Sequence, residues 1–287
     1  MSIEVTVRQK CFGKKAMPLE VILGDQLHYG NYSYECLKVG ERSETEFIAY
    51  HPEHIGRGFS VVWNPNERKT VELRLPQPSA LQELHDFYAA VKRIADYWGG
   101  RLTIDGKRMH IDEFMAGFDD MVQFNDRLIK HISQEVFNGE HETLMLHSAM
   151  WPLAMGKEEA AAFLDDSGRY SAWLHEKQSR PMRYASPRFY RDDKGIFAEY
   201  VFTSGMSYIF SQEPRVPLGV LDPDSGKALK CSCWRVLLKA EDEKEVFGEM
   251  EYSDFLYKVP KNKMERYDGE HICISEMSEE EIKSFLS

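Results

Sequence analysis

Between Arg57 and Gly106 the alternation of apolar and polar positions, the turn residues and the helix signals agree, and together they predict strand, turn, strand, capped helix, strand. Residues 59–63 form a short apolar run. Over 70–75 the pattern alternates, with Val71, Leu73 and Leu75 on one face and Glu72 and Arg74 on the other, as in a half-buried strand. Asn64-Pro65-Asn66 supplies the turn between the two runs, and Pro76 and Pro78 stop the second. Ser79 as N-cap, with Gln82 three residues on, predicts a capped helix. Leu81, Leu84, Tyr88, Val91, Ala95 and Trp98 share one stripe of that helix, and Gly99-Gly100 ends it. Leu102 to Ile104 starts a new strand, followed by Asp105-Gly106 as a hairpin turn.

The same reading extends less densely to the rest of the chain. Ile3, Val5 and Val7 predict a strand over 2–9, residues 24–42 read as loop with short elements, and 45–50 as a strand. Phe114, Phe118, Met121, Phe124, Leu128, Ile132 and Val136 recur at helical spacing, so 111–138 is expected to be helix, broken near Gly117 and stopped at Asn138-Gly139. Beyond it come an apolar stretch over 144–155 and short helices over 157–164 and 170–176. Strands follow at 196–202, 206–210, 234–238 and 272–274, with a turn through 221–226. Ser278 caps a last helix ending near Phe285. This order predicts an α+β fold of mixed or antiparallel sheets with helices packed on one face, in two closely packed halves, 1–140 and 141–287. A chain of 287 residues suits two domains or one large one.

The net charge of −11 disfavours nucleic-acid phosphate and anionic membrane surfaces as partners. No run of about 18 apolar residues is present, the length a membrane helix needs. The N-terminus alternates like a strand and lacks an apolar signal core, so a cytoplasmic location is expected. Five cysteines, Cys11, Cys36, Cys231, Cys233 and Cys273, are too sparse for a disulfide framework.

Each candidate for chemistry also has an ordinary structural role open to it. His51-Pro52-Glu53-His54 offers two imidazoles but no third ligand, and its proline excludes a helical zinc face. Gly56-Arg57-Gly58 precedes a strand, where a phosphate loop would precede a helix. Cys231, Cys233, His271 and Cys273 could complete a zinc set if their strands pair, although buried thiols acting as small hydrophobes are the expectation. His147-Ser148 and Ser204-Gly205 lie outside any nucleophile-elbow pattern. The doublets Asp119-Asp120, Asp165-Asp166 and Asp192-Asp193 read as solvated caps. The stretch 144–155, rich in Met, reads as core. Arg180, Arg183, Arg188 and Arg191, interleaved with Tyr184, Phe189 and Tyr190 and flanked by Lys177 and Lys194, form the clearest basic cluster. It is a candidate anion or acidic-partner patch, weighed against pairing with the chain's own carboxylates. No metal, cofactor or catalytic residue is assigned.

Leu23-Gly24-Asp25-Gln26-Leu27-His28-Tyr29-Gly30, Ile55-Gly56-Arg57-Gly58-Phe59, and Val71 to Pro76 before Asp86-Phe87-Tyr88 resemble an uncharacterised bacterial family, found largely in Firmicutes and catalogued as a domain of unknown function. The resemblance is concentrated in the first 110 residues. It implies a bacterial cytoplasmic protein and lends no activity. With chemistry absent from the motifs, the expectation is a non-enzymatic protein-binding module of inhibitor or immunity type, its partner another protein. The alternative is an enzyme whose site is assembled from distant residues, with His147, Arg183 and Cys233 among those to test.

Overall fold

The computed structural model describes residues 1–10, 16–33, 35–64, 70–99, 101–193, 195–217 and 219–287. Cys11, Pro65, Asn66, Gly100 and Lys194 lie outside the described residues. The chain forms two compact units, Met1–Ser179 and Arg180–Ser287.

In the first unit, the alternating Ile3, Val5 and Val7 form β1 (Ser2–Arg8). After α1 (Leu19–Leu23) come β2 (His28–Ser33), β3 (Cys36–Val39), β4 (Glu46–Tyr50), β5 (Phe59–Trp63) and β6 (Thr70–Pro76). Then follow α2 (Leu81–Trp98), β7 (Arg101–Ile104) and β8 (Lys107–Met109). The eight strands make one sheet in the order β3-β2-β4-β5-β6-β1-β7-β8, and each neighbouring pair is antiparallel. Register explains the burial: Val5 stands opposite Leu73 and Ile104, and Val7 opposite Val71 and Leu102, so apolar side chains line up on one face. Phe87, Val91 and Ile94 of α2 are completely buried in the core this face shares. Each such side chain contributes about 1.5–3 kcal/mol. On the opposite face, Glu4, Glu72 and Arg74 are exposed. Asp105 and Gly106 both take positive φ, 46° and 82°, as the tight β7–β8 hairpin requires.

Several expectations shift in detail. Within 24–42 the short elements are two strands, β2 and β3, paired antiparallel. The helix begins one residue later than expected, with Ala80 at the N-cap, and Leu81 is 48% exposed. Ser79 is buried instead: its N–H donates to Asn125 Oδ1 at 2.8 Å and its hydroxyl donates to the Pro76 carbonyl. Gln82 donates to Asp86 Oδ1 rather than back to the N-cap.

The helical stretch breaks at Gly117 into α3 (Ile111–Ala116) and α4 (Phe118–Asn138). β9 (Leu144–Leu146) pairs with β10 (Leu153–Met155), and α5 (Lys157–Asp165) and α6 (Arg169–Gln178) complete the unit. The division between units therefore falls after Ser179 and not near residue 140. Gly139 stops a helix but does not end a core: α5 packs along α4, and Ser133 points its hydroxyl at the buried sulfur of Met155. Leu146, Trp151, Leu153, Ala154 and Met155 are buried, as core residues would be.

The second unit holds β11 (Arg183–Tyr184), β12 (Arg188–Asp192), β13 (Gly195–Thr203), β14 (Tyr208–Ser211), β15 (Cys233–Lys239) and β16 (Val246–Glu251). α7 (Tyr252–Lys258), β17 (Met264–Arg266), β18 (His271–Ile274) and α8 (Glu279–Lys283) follow. The strands form two four-stranded sheets, β11-β14-β18-β17 and β12-β13-β15-β16. β11–β14 and β13–β15 are parallel and the other pairs antiparallel. An aromatic cluster of Tyr200, Phe202, Phe210, Tyr252 and Phe255 fills the core. Ser278 and Glu281 form the capping box of α8. The fold is α+β.

Candidate functional site

The polar residues of the first unit gather where the loop 51–58, joining β4 to β5, runs over the N-terminal half of α2. Glu83 is the anchor. It is 5% exposed, and its Oε1 accepts from the Gly58 N–H. Burial pushes its carboxyl up to about 7, against the opposing charge of Arg57 and the backbone N–H groups of Gly58, Ala80 and Arg57. Oε2 makes no hydrogen bond. The loop approaches so closely that a Cβ on Gly56 would lie 2.7 Å from Oε1. Gly58 holds φ +72°, where a Cβ would meet Ile48 Cγ2 at 2.5 Å. Gly56 thus makes room for a carboxylate of the same chain and Gly58 for Ile48, which is the opposite of a phosphate cradle.

Arg57 spreads its guanidinium over two carbonyls, donating from Nε to His147 O at 2.9 Å and from Nη1 to Pro78 O at 3.1 Å. Gln178 of α6 donates to Gly56 O at 2.8 Å and accepts from the Met150 N–H at 2.8 Å. The Tyr32 hydroxyl donates to Ser148 O. Burial raises the phenols of Tyr32 and Tyr170. Through backbone groups these side chains hold three stretches, at Gly56, at Pro78 and over 147–150. His147 and Ser148 do not form a nucleophile–base pair: the Ser148 hydroxyl donates to Leu146 O, and His147 is exposed.

Three imidazoles lie along the same loop. The His51 and His54 rings are 5.0 Å apart, and those of His54 and His175 are 6.3 Å apart. The His175 Nδ1 accepts from the Ile55 N–H at 3.1 Å. With that nitrogen used, the trio does not present three lone pairs to one point. Among the described residues, no three His, Cys, Asp or Glu side chains are placed to hold a metal ion.

On the other side of Asp86 a cleft of about 660 Å³ opens between α2, α3 and the start of α4. Its apolar wall is Tyr88 and Phe118, whose rings meet edge to face at 5.0 Å, and its polar wall includes Gln82, His85, Asp86 and Asp119. His85 lies against Phe118 with centroids 4.5 Å apart. Burial holds the Asp86 carboxyl above its ordinary range, opposed by the Gln82 hydrogen bond and by the charges of His51, Arg93 and His54. Such a cleft can take an apolar group and one or two polar ones. Asp119 stands exposed in the first turn of α4, as a helix-start acid would. The sequence pattern marked neither Glu83 nor Asp86 as unusual. Their signal was position: Glu83 shares the row Phe87, Ala90 and Ile94 at spacings of four, seven and eleven, where a solvated acid has no place.

In the second unit Arg180, Arg183 and Arg191 pair with separate carboxylates. Arg180 pairs with Glu265 at 3.0 Å, Arg183 with Glu243, and Arg191 with Asp222 at 3.2 Å and with Asp224. Arg183 holds the Glu243 carboxyl below its ordinary range. Arg188 is exposed on β12, opposite Glu199 of β13. Cys233 lies in β15 and pairs with Phe197, whereas His271 and Cys273 lie in β18 of the other sheet, so the strands that would complete a zinc set do not pair. His271 is instead completely buried, with Nδ1 2.8 Å from Asp268 Oδ1 and Nε2 3.2 Å from the Tyr184 hydroxyl. Asp268 Oδ1 also accepts from the backbone N–H groups of Glu270 and His271, which fixes the turn into β18.

No helix among the described residues is long and apolar enough to cross a membrane. No curated protein and no solved structure matches the chain. A family model does, and it spans residues 2–285, so the likeness carried by the first 110 residues extends through both units. The chain belongs to the family described as Domain of unknown function (DUF4299).

Proposed function

We propose that the chain is a protein-binding module of the bacterial cytoplasm that carries out no reaction of its own and acts as an inhibitor or immunity-type partner. The observation that supports this reading is the open cleft on the surface of α2, α3 and α4, with an aromatic wall beside a polar rim. Protein recognition commonly centres on an apolar pocket ringed by polar groups. Asp86 is the buried acid that belongs to the cleft, whereas Glu83, which holds the loop 51–58, and Asp268, which holds a turn and an imidazole, serve other ends. Neither lines the cleft.

A photo-crosslinking amino acid at Ala116, which is exposed on the cleft rim, tests the reading in living cells. The expected result is a recurrent adduct with one protein, missing when the same group replaces Thr6 on the far side of the sheet. Equal labelling at both positions, or none at either, would refute it.

A further inference from the structure

We propose that the cleft between α2, α3 and the start of α4 seats a basic side chain, lysine or arginine, carried on an apolar segment of the partner protein. This rests on the protein-binding reading above and names the chemistry of its partner.

Charge complementarity selects the occupant. The cleft presents two carboxylates, Asp86 and Asp119. Lys92, which also lines the cleft, and Arg93 beside it are already engaged. Lys92 pairs with Asp96 at 2.5 Å, and Arg93 donates to Val21 O at 3.2 Å and Ile22 O at 2.7 Å. Asp86 is 9% exposed and has given up much of its water, with one weak hydrogen bond from Gln82 at 3.3 Å in return. An incoming ammonium or guanidinium would supply what water no longer does, and the raised carboxyl would be drawn back down. Phe118 and Tyr88 add aromatic surface, which attracts cations and also covers the aliphatic stem of a lysine or arginine. One feature pulls the other way, since the N-terminus of α4 favours anions. Asp119 and Asp120 in its first turn already meet that preference from within the chain.

The test uses random short peptides displayed on phage, selected on the full chain and sorted by whether binding survives Ala116→Trp, which fills the cleft from the exposed face of α3. The expected cleft-dependent peptides carry a lysine or arginine among apolar residues. Synthetic versions should bind about tenfold or more weakly to Asp86→Asn, and more weakly as salt rises. Asp119 is exposed, so Asp119→Asn leaves the fold intact and carries the test if Asp86→Asn lowers the melting temperature. Cleft-dependent peptides that lack a basic residue, or that ignore both substitutions, overturn this inference and leave protein binding standing. If no peptide depends on the cleft, or if free arginine amide binds there while peptides do not, both readings fall.

Discussion

Glu83→Gln isolates the cost of the buried carboxyl. In the unfolded chain a glutamate titrates at its ordinary 4.5; in the fold, burial moves Glu83 to about 7. Between those values the folded protein keeps a proton that the unfolded chain releases, so stability falls as pH rises. The contribution is whole below about 4.5, declines by roughly 1.4 kcal/mol per pH unit across the window, and is lost above about 7, for a total of about 3 kcal/mol. Glutamine keeps the oxygen that accepts from the Gly58 N–H and cannot titrate. Urea unfolding at a series of pH values from 4.5 to 8 would measure the difference. Trp63, Trp98, Trp151 and Trp173 all lie in the first unit, so tryptophan fluorescence reports mainly on it. Groups common to both proteins, histidines included, cancel when the two curves are subtracted. The difference between wild type and Glu83→Gln should swing in favour of the variant by about 3 kcal/mol as pH rises. Parallel curves would mean that Glu83 ionises like a solvated acid, and the account of the loop as anchored by a carboxyl that burial pushes up would be wrong.

Four further substitutions check the packing. Gly58→Ala meets both a positive φ and Ile48 Cγ2, whereas Gly106→Ala meets only the φ, with open space around its Cβ. The first should therefore cost several kcal/mol, roughly 3 or more, and the second about 1, measured by chemical denaturation. Phe210→Ala empties the centre of the second unit's aromatic cluster and should cost about 3–5 kcal/mol in thermal unfolding. Ser278→Ala removes the hydroxyl that accepts from the Glu281 N–H and should cost about 1 kcal/mol, with faster hydrogen exchange confined to α8.

What the sequence revealed follows from how far apart the deciding contacts lie. β5, β6 and α4 were legible because a period of two or 3.6 is written in neighbouring residues. β2 and β3 were not: in the pair, Gly30 and Leu37 are the buried positions, while Asn31, Ser33 and Lys38 advertise a loop. Gly30 is there because Leu37 packs over it, a Cβ at that place falling 2.7 Å from Leu37 Cγ. The N-cap failed for a related reason. Ser79 satisfies every local rule for a cap, yet Asn125, far along the chain, takes its N–H and returns a bond to its carbonyl at 2.9 Å. A local preference worth about 1 kcal/mol yields to a buried pair of hydrogen bonds.

The same logic decides what spacing can say about a site. Cys231 and Cys233, like His271 and Cys273, are two apart and share a strand face or its approach; alternation supplies that much. Whether the two pairs meet depends on sheet order. β15 lies beside β13 and β16, while β18 lies between β14 and β17. With Cys233 in the other sheet, His271 finds Asp268 three residues earlier and Tyr184 on β14's other neighbour, β11. Asp268→Asn discriminates between the two uses of this histidine. As the acceptor shared by His271 Nδ1 and two backbone N–H groups, Asp268 should cost about 1–3 kcal/mol when replaced by asparagine, through the weakening of these buried hydrogen bonds. If instead the pair were an idle reserve of acid–base chemistry, the fold would tolerate asparagine with a change well under 1 kcal/mol, and calorimetry of the second unit's transition would show it.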